Sequence, residues 1–217
     1  MTYMDYIKLQ LQKAEIGQPI YSVTIAEKMA EAYQMPKEKA TAAVAVALQR
    51  IMKNDAEMKL RLYQKGIYYV TATTPFGDVG IRTEQLIKDK YLASDQGYET
   101  GLGFLHRIGL TTQMPKMREL VTNFATSGTR YDKKLDVRIH PPKITVTAEN
   151  RLYLQILDAM ETMEKAPIDA ENPYRMIADY IHKRELQYQR LLALAGNCYS
   201  PKTLQCLANT AIEGGTL

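Results

Sequence analysis

Apolar residues recur with two different periods between positions 40 and 70. In Ala40–Asn54 (ATAAVAVALQRIMKN), Ala40, Val44, Ala47, Leu48 and Ile51 fall on one side at about 100° per residue, which predicts a helix with one buried face. Lys59–Val70 (KLRLYQKGIYYV) is short and partly alternating, with Lys65-Gly66 near its middle, and predicts a β-hairpin. Upstream, helical spacing predicts a first helix from about Tyr3 to Ala14, ending near Gly17 and Pro19. A brief extended piece, Ile20-Tyr21-Ser22, separates it from a second helix through IAEKMAEAY, with Thr24 a candidate cap. The third helix begins behind Pro36, whose missing N–H suits a first turn. Helix, short strand, helix, helix, strand, turn, strand is the order of a winged helix-turn-helix, whose third helix is the usual reader of the DNA major groove.

The face opposite the buried stripe carries Lys39, Ala42, Val46, Gln49 and Lys53, with Arg50 at its edge. It is small and apolar for a solvent face. Ala42 and Val46 permit close approach to base edges and contact with thymine methyls, and Gln49 can pair with adenine. Lys39, Arg50 and Lys53 suit phosphates or bases, and in the hairpin Arg61 and Lys65 suit phosphate or the adjacent minor groove. A partner helix is the alternative occupant of the same face.

Beyond position 72 the pattern changes twice. Thr73-Thr74-Pro75-Phe76-Gly77-Asp78 reads as a linker broken by Pro and Gly. IRTEQLIKDKYL predicts a helix, and GYETGLGFLHRIG a short one from a Thr100 cap to Ile108, closed by Gly109 in the left-handed conformation. MRELVTNFA, KLDVRIH and KITVTA are β-rich and predict a small antiparallel sheet, separated by SGTRYDK and Pro141-Pro142. From about Ala148 the chain reads as helical. The apolar stripe Leu152, Ile156, Ala159, Met163 opens that region, and Pro167 and Pro173 punctuate it. The expectation is an α+β chain: a winged helix-turn-helix over 1–72, helices plus an antiparallel sheet over 79–147, and a helical part over 148–217 forming one unit with the sheet.

Charge and composition narrow the function classes. The 46% hydrophobic and 24% charged content is that of an ordinary globular protein, and no apolar run approaches the length of a membrane span. The N-terminal stretch lacks a basic and apolar leader pattern, so a cytoplasmic location without membrane contact is expected. Residues 1–70 hold ten Lys/Arg against seven acids, residues 71–147 eleven against eight, and residues 148–217 seven against nine. The last third is therefore the part least expected to touch DNA.

Catalytic chemistry is not legible. Asp132 and Asp136 near Lys133, Lys134 and Lys143 hold the ingredients of a nuclease without its spacing, and read as a solvated hairpin. His106, His140 and His182 have no nucleophile arranged with them, and GYETGLG lacks the GK(S/T) of a phosphate-cradling loop. Cys198 and Cys206, eight apart, do not have zinc spacing and read as buried thiols. No metal or cofactor is expected. A DNA-targeted nuclease remains the alternative from another class.

Two stretches together resemble one family. RLYQKGIYYV resembles the rl-rGvY wing of AbiEi-type antitoxins, the antitoxin members of type IV toxin–antitoxin systems. GYETGLGFLHRIGLTTQMP resembles their central G-Y-x-(S/T)-G-xxx-L-xx-(L/I)-G-L-T-T-Q-x-P segment, and LLALAGNCYSPKTLQCLANTAIE is similar in outline to their helical end. The resemblance implies a bacterial cytoplasmic protein whose winged helix binds inverted repeats in double-stranded DNA at its own promoter. It also implies a remaining domain that counteracts a co-encoded nucleotidyltransferase-like toxin without a stable complex. Carried over position by position, the wing residues are Arg61, Gln64, Lys65, Gly66 and Tyr68. The family often has arginine before the wing glycine. Lys65 stands there, and lysine contacts phosphate without bidentate guanine reading.

The central segment admits two readings. Gly97, Gly101, Gly103 and Gly109 suit helix ends and a docking core between the winged helix and the sheet. Alternatively Thr111, Thr112 and Gln113 form an exposed polar loop that meets a partner. A transcription regulator unrelated to a toxin is the remaining expectation.

Overall fold

Capping chemistry sets the first helix. In the computed structural model, which describes residues 1–215, Thr2 and Asp5 form a reciprocal capping box at the start of α1 (Tyr3–Gln12). The short strand β1 (Ile20–Tyr21) leads straight into α2 (Ser22–Ala32), which starts two residues before Thr24. Tyr21 precedes α2 without a side-chain cap, so Thr24 is not its cap. α2 ends in a Schellman turn: Met35 N–H donates to Ala30 C=O at 3.0 Å and Gln34 N–H to Glu31 C=O at 3.3 Å, with Gln34 at φ 48°. Pro36 then stands just outside α3 (Lys37–Asn54), as its cap residue rather than in its first turn.

β2 (Leu60–Gln64) and β3 (Ile67–Val70) form the hairpin, and β1 pairs with the far side of β3, giving the antiparallel order β1-β3-β2. Gly66, at φ 83°, makes the turn. The buried face of α3 is Ala40, Val44, Ala47, Leu48 and Ile51, and it packs with Ile7, Leu11, Ile25, Met29, Leu60 and Tyr68 into one core. The α-helical and β-periodic patterns thus meet in a single apolar cluster.

Residues 73–78 are not an irregular linker. They fold into a small hairpin, β4 (Thr73–Thr74) and β5 (Gly77–Asp78), with Pro75 and Phe76 between them. The following backbone returns to the same unit: Arg82 N–H donates to Gly17 C=O at 2.8 Å and the Arg82 guanidinium pairs with Glu15 at 2.6 Å. The chain accordingly divides into Met1–Leu86 and Ile87–Leu217, later than position 72.

The second unit is also mixed α and β. α4 (Thr83–Ile87) spans the boundary, only its last residue falling in this unit, and runs into a π turn, Lys88–Leu92, then a 3₁₀ turn, Ala93–Asp95. β6 (Gly97–Thr100) is followed by α5 (Gly101–Arg107), β7 (Arg118–Thr122), β8 (Arg130–Asp132) and β9 (Val137–His140). Their order is β6-β7-β9-β8, and β9 lies parallel to β7, so the sheet is mixed rather than antiparallel. The reason is topological: β8 forms a hairpin with β9 on its outer side, which leaves β9 to pair with β7 in the same direction. β8 itself falls in the segment read as a separator. KITVTA, read as a strand, is irregular; the Asn123 side chain supplies both ladder bonds to Val146, each 2.8 Å.

Four helices complete the unit: α6 (Arg151–Met163), α7 (Pro173–Lys183), α8 (Tyr188–Cys198) and α9 (Pro201–Glu213). α6 packs against β6, α5, α8 and α9. It buries Tyr153, Leu154, Gln155, Ile156, Leu157, Ala159 and Met160, far more than the stripe Leu152, Ile156, Ala159, Met163, whose two end members are only half-buried. No helix among the described residues is long and apolar enough to cross a membrane.

Candidate nucleic-acid interface

The sequence folds α3 so that its polar edge and small apolar centre face outward together. Lys39, Ala42, Val46, Gln49, Arg50 and Lys53 are all exposed, while the intervening Ala40, Val44, Ala47 and Leu48 are in the core. From Lys39 to Lys53 this strip runs about 21 Å along the helix at 1.5 Å per residue, longer than a major groove is wide. Val46 is 48% exposed, an apolar side chain held toward solvent at the strip's centre. Lys39, Arg50 and Lys53 make no ion pair among the described residues. At the base of the helix, Lys8 of α1 pairs with Asp55 at 2.7 Å, and Asp55 accepts from Met58 N–H at 3.2 Å. Those bonds, Lys8 first, hold the Asp55 carboxyl below its ordinary range and fix the exit of α3.

The hairpin beside α3 presents Lys65 at its tip, exposed, with Gln64 half-buried next to it. Tyr68, by contrast, is 8% exposed and belongs to the core. Arg61 is exposed but engaged: its guanidinium lies 3.4 Å from the Asp78 carboxylate of β5. Asp78 also accepts from the Thr73 hydroxyl at 2.9 Å. The small hairpin thus holds one of the two cations of the β2–β3 hairpin, and it ends in a fully exposed Phe76. Sequence reasoning missed this element. Its signal was present in Thr74-Pro75-Phe76-Gly77, which has Pro and Gly at the second and fourth positions of a turn.

The glycine-rich segment serves the second unit's interior. All four residues of β6 are buried. A Cβ on Gly97 would lie 2.4 Å from Tyr91 C=O and 2.7 Å from Val121 C=O, so only glycine admits this approach of three backbone stretches. Gly101 backs onto Glu119 and Gly109 onto Met176. Each of these neighbours lies within the second unit, in place of a docking core between winged helix and sheet. Thr111 is not part of an exposed loop: it is 3% exposed and bonds to Asp169 at 3.3 Å. Thr112 and Gln113 are exposed, yet Thr112 donates to Asp169 through both its N–H and its hydroxyl at 2.7 Å. The 111–113 segment is fastened to the chain before α7.

Glu99 was singled out by no sequence argument. Its carboxylate, 6% exposed, pairs with Arg107 of α5 and with Arg118 of β7 at 3.2 Å. Both arginines are thereby held along one wall of a cavity. Asp158 is a half-buried acid. It accepts from Tyr98 and Tyr199 hydroxyls, each at 2.7 Å; burial raises its carboxyl above the ordinary range despite those bonds, and burial likewise raises both phenols.

The remaining titratable candidates separate. Asp132 is not solvated: Lys90 and the Tyr91 hydroxyl each lie 2.7 Å from it, and its carboxyl titrates at about 2. Burial works against that lowering, and the two side-chain bonds outweigh it. Asp136 is exposed and bonded to Tyr131 instead, so the two aspartates do not form one site. His140 sits between Glu119 at 2.8 Å and Thr129 at 3.0 Å, whereas His106 and His182 are exposed. Cys206 is buried and its thiol is pushed up by that burial to about 11; Cys198 is exposed, at the end of α8 where its helix face meets solvent.

No family model matches the chain, and no curated protein matches it.

Proposed function

We propose that residues 1–72 are a winged helix-turn-helix that reads double-stranded DNA through α3, and that the protein represses its own promoter as the antitoxin of a type IV toxin–antitoxin pair. The observation that carries the DNA reading is the outward strip of α3, small and apolar at Ala42 and Val46, with Gln49 beside it and three cations around it that have no ion pair among the described residues. A helix face used only for solubility has no need of exposed valine between lysines. Gln49 would read adenine and the two small residues thymine methyls. Lys39, Arg50, Lys53 and Lys65 would hold the phosphate backbone, with Arg61 joining them once released from Asp78.

The antitoxin part rests on the resemblance of GYETGLGFLHRIGLTTQMP and the wing to AbiEi-type proteins. The functional partner is then a nucleotidyltransferase-like toxin encoded beside this chain, countered without a lasting complex, in the cytoplasm of a bacterium and without a cofactor. The test is co-expression with a neighbouring nucleotidyltransferase-like reading frame, alongside footprinting of the upstream DNA. Rescue of growth together with protection of inverted repeats supports the proposal. Protection without rescue leaves a transcription regulator unrelated to a toxin, and cleavage of the DNA in place of protection makes the protein a nuclease.

A further inference from the structure

The second unit contains a concave basic site that the DNA-binding proposal does not use. It is a cavity of about 590 Å³, within the usual size range of small-molecule sites. Five cationic side chains line it, Arg107, Arg118, Arg151, Lys183 and Arg184, against two carboxylates, Glu99 and Asp179. Both acids are already engaged. Glu99 is shared between Arg107 and Arg118, and Asp179 pairs with Arg175 one turn away at 3.2 Å. Lys183 has no acidic partner among the described residues, and Arg184 lies over the Tyr180 ring at 5.5 Å. Arg151 is held from one end by Asp95 at 3.2 Å, while its Nε is buried without an acceptor among the described residues. A buried guanidinium N–H left unpaired costs free energy that a nearby anion can offset by redrawing the arginine's bonds.

The C-terminal end of the α7 dipole would by itself account for Lys183 and Arg184 there. That account covers neither Arg151, which opens α6, nor Arg107 and Arg118, which Glu99 clasps from two other elements. Four separate elements deliver positive charge to one concavity. Its remaining wall is apolar and aromatic, with Ile108, Met176 and the Tyr180 ring, whose edge meets Phe104 at 5.9 Å. A duplex backbone needs an open cationic surface; a cavity with a cationic rim and an aromatic wall suits a compact ligand carrying both phosphate and a base.

We infer that this cavity binds the phosphates of a nucleoside polyphosphate, with Lys183, Arg184 and Arg151 on the phosphates and Tyr180 against the base. Every residue named lies in the second unit, so the inference is independent of the DNA-binding proposal. The source is a free nucleotide or the 5′-triphosphate end of an RNA, which share this chemistry.

The test is calorimetric titration of the full chain with ATP, GTP, inorganic tripolyphosphate, and one RNA oligonucleotide bearing either a 5′-triphosphate or a 5′-hydroxyl. Saturable binding of a nucleoside triphosphate, tighter than tripolyphosphate, is expected and identifies a free nucleotide as ligand. Binding confined to the 5′-triphosphorylated RNA supports the inference with an RNA end as the source. The double variant Lys183→Gln/Arg184→Gln, on exposed side chains and checked for an unchanged melting temperature, should weaken either by about tenfold or more. Equal binding of tripolyphosphate removes the base-recognition part. Absence of binding by every probe, binding indifferent to the double variant, or an effect of that variant on duplex DNA alone overturns the inference.

Discussion

Arg61 and Asp78, seventeen positions apart, meet at 3.4 Å across two hairpins of the first unit. The contact is half-exposed on both sides, so it contributes little stability. Its consequence is competitive, because the Asp78 carboxylate occupies the cation that a phosphate would use. Asp78→Ala should therefore tighten binding to promoter DNA at moderate salt. The slope of log K against log salt should steepen by roughly 0.9, the contribution of one added phosphate contact. An unchanged slope would mean that Arg61 faces no phosphate.

Gln34 occupies the left-handed position that ends α2, where glycine is free of steric cost. Gln34→Gly should raise the stability of the first unit by about 1 kcal/mol, offset in part by the unfolded chain's added freedom. Denaturant unfolding checks this through a higher midpoint at constant slope. Because Gln34 lies in the turn before α3, DNA affinity should not fall.

Gly97 sits where two carbonyl oxygens would lie within 3 Å of any Cβ. Gly97→Ala should destabilise the second unit by about 3 kcal/mol or more, since backbone cannot yield as a flexible side chain does. Loss of the second unit's cooperative melting, with DNA binding by the first unit retained, is the expected result. A silent substitution would remove the packing account of the GYETG segment.

Asp132 links stability to pH. Its folded carboxyl titrates at about 2, below the unfolded value near 3.9, so the fold binds fewer protons than the unfolded chain between those values. The stabilisation is complete above the unfolded value and is lost as pH falls through about 2. Lys90 is half-exposed and screened by solvent, which reduces the contribution to on the order of 1 kcal/mol. Asp132→Asn should cost that much at pH 7, and the difference from the native protein should shrink toward pH 2. A constant difference across this range would contradict the linkage.

The α3 pattern was legible because one face repeats with the helical period over fifteen residues. All five of its expected core positions are buried and all six expected surface positions exposed. The chain's α+β class followed from the same periodicities. The mixed sheet was not legible, since β8 is only three residues long and β9's parallel partner is chosen by tertiary packing. KITVTA misled for the opposite reason: its alternation is real, but Asn123 takes the place of a neighbouring strand. The basic cavity escaped a charge count because the last third is acidic overall, and only folding brings Arg151 to the adjacent pair Lys183-Arg184.

The outward strip of α3 is tested most directly by the Lys39→Glu/Lys53→Glu double variant on duplex promoter DNA across a salt series. Both side chains are exposed and without ion pairs among the described residues, so the fold should be unaffected. The prediction is weaker binding at low salt and a salt slope shallower by about two contacts. Affinity and slope equal to those of the native protein would contradict DNA reading by α3.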